Sequence, residues 1–328
     1  MNNLSFTITL VIVLFIVILF MTRSGTHDSK NFTEFKYNFP ESFKSCNTIG
    51  CWVCSLKDDA SVIKIERKEN DEISKIIRSS KTKNNSINLN AFTNIYDNQV
   101  WGSYGGGSGA GSDSSYAKTT SYILQLVILK YSLKSLLDAP CGGVSDSWTK
   151  FAIHEIKKTL PCFRYHGTDV VKSVIDMNIK TFSGSPWIQF SQQDLSSWNL
   201  DLPSNYDIIL SRDALQHLSY LSIAGALAKY CRSDARYLLV GSYLDEGNNK
   251  NIESGGCFNI NLLETPFSFP KPIEEYAEKS KILAPQIETA STLEIKKLDP
   301  YPTKYLLLYK LDDLCKSSAL LSFISSYS

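Results

Sequence analysis

Three acids in the sequence each stand at the end of a strand-like run. Asp138 follows Leu-Leu and precedes Ala-Pro-Cys-Gly-Gly, Asp169 ends Tyr-His-Gly-Thr-Asp, and Asp194 ends a third run. A carboxylate at such a position can accept hydrogen bonds from an amine, from the hydroxyls of a ribose or from the exocyclic amine of adenine. Each acid alone is more typical of a helix N-cap or a solvated strand end. Three in corresponding positions favour a ligand-binding site.

A fourth apolar run, 206–211, leads into Arg212-Asp213-Ala-Leu-Gln-His217-Leu. If a helix begins near Asp213, then Asp213 and His217 lie four residues apart on one helix face. The carboxylate would favour a bound cation, and the imidazole could remove a proton from an attacking hydroxyl. The alternative is an N-cap aspartate beside a half-buried structural histidine. Taken alone, the segment leaves both interpretations open.

The elements that position these residues are predicted from the alternation of strand-like and helical patterns. Strands are expected at 135–139, 164–169, 187–194, 206–211 and 237–243. Such alternation indicates a mostly parallel sheet with helices on both faces, which binds ligands at the carboxyl ends of its strands. Near the C-terminus, 292–298 and 304–310 flank Asp-Pro-Tyr-Pro and predict an antiparallel hairpin at the sheet edge. The predicted fold class is an α/β, Rossmann-like, seven-stranded sheet, preceded by a transmembrane helix and a stem.

Five segments in a fixed order carry a resemblance to a known family. They are Trp101-Gly102, Ser108-Gly-Ala-Gly-Ser112, Asp138-Ala-Pro-Cys-Gly142, Arg212-Asp213 with His217-Leu218, and Phe267-Ser-Phe-Pro-Lys-Pro272. Over about residues 92 to 314 the chain resembles a class I S-adenosylmethionine-dependent methyltransferase, within a branch that shares these motifs. One departure concerns the first turn, where Pro140 and Val144 replace two glycines of the common Gly-x-Gly-x-Gly pattern. A second is a displaced acid and tryptophan, here Asp146 and Trp148.

The resemblance implies S-adenosyl-L-methionine as cofactor, no metal, and direct methyl transfer to an acceptor. It implies that Asp169 binds the ribose and Asp194 the adenine, that Asp213 lies near the sulfonium, and that His217 is the base near the acceptor. The residues implied to hold the rest of the cofactor, chiefly its methionine end, are Asp138, Cys141, Gly142, Gly143 and Arg212.

The acceptor is expected to be a hydroxyl group of a small molecule or glycan. Asn261, Phe267 and Phe269 follow the fifth predicted strand, where such folds usually build the acceptor pocket, and they could grip a polar ring or sugar. The alternative for these three residues is a well-packed loop. Two other functions stay open: a protein or lipid methyltransferase with a cytosolic domain, and a non-catalytic membrane protein that reuses the fold. A nicotinamide-dependent oxidoreductase is disfavoured because the first turn lacks Gly-x-Gly-x-x-Gly.

The N-terminus predicts a membrane anchor at 4–22, since Leu10 to Met21 is an unbroken apolar run long enough to cross a bilayer with its flanks. A cleaved signal peptide is the alternative. A polar stem is predicted at 23–90, the catalytic domain at 91–314 and a tail at 315–328. Arg23 and Lys30 favour a cytosolic domain, whereas glycosylation sequons at Asn31 and Asn84 favour the lumen of the secretory pathway.

The composition excludes a disordered chain and a strongly basic polyanion binder, because the net charge is +1 and 43% of the residues are hydrophobic. No nucleic-acid partner is expected. Three of the eight cysteines cluster at Cys46, Cys51 and Cys54, which favours a disulfide over a zinc site that would lack a fourth ligand. The Gly/Ser run at 105–112, taken alone, suggests a flexible linker.

Overall fold

The computed structural model describes residues 71–79, 87–113, 117–245, 247–278 and 303–328. The predicted anchor at 4–22 and the cluster of Cys46, Cys51 and Cys54 lie outside these residues. Within the described ranges, no helix is both long and apolar enough to cross a membrane.

A single seven-stranded sheet organises the described residues. Its strands are β1 (Ser135–Asp138), β2 (Arg164–Asp169), β3 (Ile188–Gln192), β4 (Ile208–Ser211), β5 (Tyr237–Ser242), β6 (Glu274–Glu278) and β7 (Lys304–Lys310). The spatial order is β3-β2-β1-β4-β5-β7-β6. The first five strands pair in parallel, and β7 runs antiparallel to both β5 and β6. The predicted Rossmann-like sheet with an antiparallel C-terminal edge is confirmed.

The strand that pairs with β7 at the edge differs from the sequence prediction. The expected partner, 292–298, lies outside the described residues, and the observed partner is β6. Its sequence, Glu-Glu-Tyr-Ala-Glu, has no apolar face that periodicity could detect. Charged side chains are common on edge strands because they discourage pairing with other chains, so a polar edge strand escapes a search for hydrophobic runs.

Helices cover both faces of the sheet. They are α1 (Asp71–Ser79), α2 (Ile87–Asp97), α3 (Lys118–Lys130), α4 (Trp148–Thr159), α5 (Lys172–Thr181), α6 (Tyr220–Arg232), α7 (Leu311–Cys315) and α8 (Ser318–Ser326). Neighbouring residues of β1 point into opposite cores: Leu136 packs in the cluster under α3 and α4, and Leu137 in the cluster under α6. Both faces of the central strands are therefore buried, as parallel sheets require.

Two predicted domain boundaries need correction. Ile73 in α1 is fully buried and α1 packs on α6 and α8, so the folded domain begins within the predicted stem of 23–90. At the other end, Leu320 and Phe323 of α8 are buried, so 315–328 is part of the core rather than a tail. A disulfide between Cys231 and Cys315 joins α6 to α7.

Candidate active site

A cleft opens at the carboxyl ends of β1 to β4 and encloses about 890 Å³ of empty space, including the part open to solvent. This is where the strand order reverses between β1 and β4, the position at which open α/β sheets bind ligands. One half of the cleft is formed by the ends of β1, β2 and β3, which we call the strand-end half. The other is formed by the segment after β4 together with α2 and the loop after it, which we call the β4 half.

Asp138 lies at the base of the strand-end half. It is buried, lines the cleft and accepts a hydrogen bond of 2.8 Å from the Tyr165 hydroxyl. Burial raises the pKa of this carboxyl to about 7, although the Tyr165 hydrogen bond opposes the shift. A cationic ligand group such as an amine would restore full ionisation, so the position suits an ammonium group.

Asp169 fixes the turn after β1. Its two carboxylate oxygens accept backbone N–H groups, Oδ2 from Gly142 and Oδ1 from Val171, each at 3.0 Å. Burial raises the pKa of Asp169 to about 6 and outweighs these two hydrogen bonds, which lower it. A carboxylate has about four acceptor sites in all, so Asp169 can still accept a hydroxyl donor from a ligand in the cleft.

The Gly/Ser run at 105–112 is a built part of the site and not a flexible linker. Ser108 Oγ accepts the Gly143 N–H at 2.9 Å and shares a hydrogen bond of 2.7 Å with the Tyr96 hydroxyl. The backbones of Gly106 and Gly143 are in contact. They are so close that a Cβ on Gly143 would lie 2.5 Å from the Gly106 carbonyl oxygen. The glycines therefore allow the run to lie directly on the turn after β1.

This contact corrects the prediction for Gly143, whose N–H is taken by Ser108 and which does not line the cleft. Gly142 and Cys141 do line it. Gly142 has a φ of 59°, a left-handed conformation that glycine adopts without strain. The Cys141 thiol is a protonated group, because burial raises its pKa well above the ordinary value.

The loop after β3 contributes two polar residues to the strand-end half. Asp194 is the predicted one, and its Oδ1 accepts from the Ser196 N–H at 2.9 Å and the Ser196 hydroxyl at 2.7 Å. The buried ammonium of Lys229, on α6, donates to the Asp194 carbonyl oxygen and so fixes the loop after β3 to α6. Gln193 was missed by sequence reasoning. Its Oε1 is buried, and no hydrogen-bond partner for it occurs among the described residues.

Asp213 occupies the centre of the β4 half. Its Oδ2 contacts Arg212 Nη1 at 2.9 Å and Lys304 Nζ at 2.6 Å. Burial alone would raise the pKa of Asp213, but these two cations lower it to about 2, so the side chain is a carboxylate. Its other oxygen, Oδ1, is buried and has no hydrogen-bond partner within the described part of the chain.

Arg212 acts as a brace between distant segments, in contrast to its predicted contact with the cofactor. Its guanidinium forms two hydrogen bonds of 2.8 Å with the Glu278 carboxylate and one of 2.9 Å with the Gly111 carbonyl. Burial would lower the pKa of Arg212, but the carboxylates of Asp213 and Glu278 raise it above its ordinary value. Although Arg212 lines the cleft, its donors are directed into the protein.

His217 lies in a short 3-10 helix, Leu215–His217, and not in an α-helix beginning at Asp213 as predicted. Asp213 has a φ of 51°, which interrupts any right-handed helix there, and α6 begins only at Tyr220. The prediction of a shared helix face is wrong, yet both side chains line the same cleft. The backbone turn, rather than a helical repeat, brings them together.

The environment of His217 defines its protonation. Nδ1 lies 2.8 Å from the Gly256 carbonyl oxygen, and because a carbonyl only accepts, Nδ1 carries the hydrogen. Burial lowers the pKa of His217, so the ring is neutral at neutral pH and Nε2 has a lone pair. Nε2 has only a long contact of 3.4 Å with the Gln216 amide nitrogen. The imidazole also packs on Trp101, with ring centroids 4.7 Å apart.

The three residues predicted to contact an acceptor are core residues. Phe267 is fully buried against Tyr220 and Phe323, and Phe269 packs on Tyr309. Asn261 is buried, with its amide donating to the Leu244 carbonyl and its Oδ1 accepting from the Leu263 N–H. None of the three lines the cleft. Here the packed-loop alternative agrees with the structure, because these side chains close the core beneath β5.

Comparison with known proteins leaves the family of this chain open. No family model matches the sequence, and no curated protein matches it. Similar solved structures include an O-methyltransferase from a trans-AT PKS multienzyme of Brevibacillus brevis in complex with S-adenosyl-L-homocysteine. The identity is 14%, the TM-score 0.42, and the match covers 64% of this chain and 78% of that one.

A second similar structure is the N-methyltransferase NodS from Bradyrhizobium japonicum, also in complex with S-adenosyl-L-homocysteine. It has 14% identity and a TM-score of 0.38, and the match covers 59% of this chain and 86% of that one. A third is the S-adenosylmethionine-dependent methyltransferase SibL, with 15% identity and a TM-score of 0.31. There the match covers 39% of this chain and only 36% of SibL. At these identities and TM-scores, function has to be inferred from the site of this chain itself.

Proposed function

We propose that the protein is a membrane-anchored S-adenosylmethionine-dependent methyltransferase that transfers a methyl group to a hydroxyl acceptor. One observation carries the proposal. A neutral imidazole, anchored through Nδ1 and bearing a lone pair on Nε2, lies in the same cleft as acids at three successive strand ends. The acids suit the amine, ribose and adenine of the cofactor, and the imidazole suits removal of a hydroxyl proton.

The residues of the strand-end half fit the cofactor. Gln193 lines the cleft, and its Oε1 is a buried acceptor without a partner in the described ranges, which an exocyclic amine of the cofactor would satisfy. Asp169 offers lone pairs to ribose hydroxyls, and Asp138 offers a carboxylate to an amine. The cofactor would supply an electrophilic methyl group on a sulfonium.

The residues of the β4 half would prepare the acceptor. His217 Nε2 accepts the hydroxyl proton, and the resulting imidazolium is stabilised by the nearby Asp213 carboxylate, whose charge raises the pKa of His217. Phe92, Trp101 and Leu218 line this half with apolar surface that excludes water. Positioning and desolvation, with one proton transfer, are sufficient for this reaction class.

The test is calorimetric binding of S-adenosylmethionine and S-adenosylhomocysteine to the full-length protein. We expect both to bind, and Asp169→Ala to weaken binding about 10- to 100-fold, because hydrogen bonds to a charged group contribute about 1.5–3 kcal/mol. Asp176→Ala is the matched control, since Asp176 is an exposed acid on α5 that pairs with Lys172. Absence of binding by a folded protein would refute the proposal and favour the non-catalytic alternative.

We further propose that the domain faces the lumen of the secretory pathway. The disulfide between Cys231 and Cys315, and the disulfide-bonded state of Cys162, support an oxidising compartment. The sequons at Asn31 and Asn84 support the same side of the membrane. In a eukaryotic host, we expect a glycosidase-sensitive mass that Asn31→Gln together with Asn84→Gln removes. An unglycosylated domain open to protease from the cytosol would instead support the cytosolic protein or lipid methyltransferase.

A further inference from the structure

The β4 half presents two hydrogen-bond acceptors that the described residues leave without a strong donor. Within the described ranges, Asp213 Oδ1 is buried with no partner, and His217 Nε2 has only the 3.4 Å contact with Gln216. The two groups are close enough for each to influence the ionisation of the other. A buried carboxylate oxygen without a donor is costly, so a ligand that brings a donor to Asp213 gains affinity there. A second donor is needed at His217 for the reaction itself.

The charge of the cleft restricts the ligand further. Asp138, Asp169, Asp194 and Asp213 line it, whereas Arg212 is the one Lys or Arg among its described lining residues. Arg212 is committed to Glu278 and Asp213, and Lys304 behind it is committed to Asp213. A carboxylate or phosphate on the acceptor would therefore meet carboxylates, with no uncommitted Lys or Arg among the described lining residues to bind it. The acceptor has to be neutral near its reacting atom.

The wall beside these groups is aromatic. Trp101 packs on His217, and Phe92 meets the Trp101 ring edge to face at 5.9 Å between centroids. Both Trp101 and Phe92 line the cleft and are only partly buried. An aromatic face beside hydrogen-bond acceptors suits a ring that is apolar on its face and carries hydroxyls on its edge.

On the basis of the proposed function, we propose that the acceptor is a neutral ring compound with two adjacent hydroxyl groups. One hydroxyl donates to Asp213 Oδ1, and the other is the methyl acceptor and faces His217 Nε2. A sugar and a catechol share this chemistry. Both present a ring face to Trp101 and two neighbouring O–H donors at the ring edge.

The proposed step is a direct transfer of the methyl group to oxygen. The reacting hydroxyl oxygen forms a bond to the methyl carbon while the carbon–sulfur bond breaks and its electron pair stays on sulfur. The hydroxyl proton moves to His217 Nε2. The products are a methyl ether, S-adenosylhomocysteine and an imidazolium, which returns its proton to water when the products leave.

The experiment uses the full-length protein with S-adenosylmethionine and two matched sets of acceptors. The sugar set is a phenyl glucoside, its 2,4-dideoxy counterpart, which has no two adjacent ring hydroxyls, and the phenyl glucuronide; the aromatic set is catechol, phenol and 2-hydroxybenzoate. In at least one set we expect kcat/KM for the neutral diol to exceed that for the neutral compound without adjacent hydroxyls about 10- to 100-fold, the value of a hydrogen bond to a charged group. The anionic member should be the poorest acceptor, and the set that responds identifies the source.

Asp213→Asn tests the assignment of Asp213 to the acceptor. We expect the preference for the diol to fall about tenfold, because a charge-assisted hydrogen bond becomes a neutral one. Any change in affinity should be equal for S-adenosylmethionine and S-adenosylhomocysteine. A selective loss of S-adenosylmethionine affinity would show that Asp213 serves the sulfonium and would overturn the proposal. Binding of S-adenosylhomocysteine also reports that the variant is folded.

The outcomes separate this inference from the proposed function. If neither S-adenosylmethionine nor S-adenosylhomocysteine binds, the proposed function fails. If both bind but the compounds without adjacent hydroxyls are methylated as fast as the diols, or the anionic acceptor is preferred, the inference fails alone. If the cofactor binds and no member of either set is methylated, the diol assignment is likewise rejected.

Discussion

The two halves of the cleft are built in different ways. In the strand-end half, the buried carboxylates are held by nearby segments: Tyr165 and Asp138 are 27 residues apart in the chain, as are Gly142 and Asp169. In the β4 half, Arg212 reaches Gly111 across 101 residues, and Asp213 reaches Lys304 across 91. One half is thus formed by consecutive strands, and the other requires the whole domain to be assembled. Changes in the two halves should therefore affect different steps.

The largest expected effect is in the β4 half. We expect His217→Ala to reduce kcat about 10²- to 10⁴-fold, the usual contribution of general base catalysis, with cofactor affinity nearly unchanged. Single-turnover kinetics and calorimetry on the same samples measure the two quantities. His154→Ala is the control, because His154 lies on α4 outside the cleft, where it bonds to the Lys150 carbonyl and packs near Trp187. Full activity in His217→Ala would remove His217 as the base.

Gly143→Ala tests the contact between the Gly/Ser run and the turn after β1. The added Cβ would lie 2.5 Å from the Gly106 carbonyl oxygen, so one backbone has to move. We expect a loss of about 1–3 kcal/mol of stability and a cofactor affinity lower by about tenfold or more. Thermal unfolding and S-adenosylhomocysteine binding measure these effects. Gly184→Ala, where a Cβ meets nothing within 4 Å, should change neither.

Lys304→Met should shift the dependence of kcat/KM on pH. At the optimal pH, its effect on kcat/KM should be smaller than those of the preceding variants. The pKa of His217 is set by its burial, by its hydrogen bond to the Gly256 carbonyl and by the charges of Asp213 and Lys304. Loss of the Lys304 charge stabilises the imidazolium and raises the pKa of His217. Because the base works only when unprotonated, the acid limb of kcat/KM against pH should move to higher pH. Lys304→Arg should restore it, whereas an unchanged limb would place Lys304 in a purely structural role.

The smallest expected effect is that of Gln193→Leu in the strand-end half. Removing one neutral acceptor should weaken cofactor binding about three- to tenfold, since such a hydrogen bond contributes about 0.5–1.5 kcal/mol. The kcat at saturating cofactor should stay the same. Gln189→Leu on the exposed side of β3 is the comparison. Unaltered affinity in Gln193→Leu would mean that another group satisfies the adenine.

The difference between the halves also explains what the sequence predicts. The ends of strand-like runs can be recognised in the sequence itself, so the sequence predicts Asp138, Asp169 and Asp194 together with β1 to β5. Lys304 and Glu278 lie on the antiparallel edge, and no local pattern connects them to Asp213. The Gly/Ser run gave no signal of its own, because the glycines are needed for a backbone contact that exists only after folding. Phe267 and Phe269 illustrate the reverse error, since aromatic residues near a site are more often core than contact.

The bond between Cys231 and Cys315 has a consequence for where the protein can be made. It closes a loop with a sequence separation of 84 residues, which by loop-closure entropy alone contributes about 4–5 kcal/mol. That loop contains both β6 and β7, which deliver Glu278 and Lys304 to the cleft. A chain produced in a reducing cytosol would lack this constraint on the β4 half. The strands β1 to β3 lie outside the loop, so the strand-end half would keep its constraints. The choice of expression host thus decides which half of the site is measured in its native form.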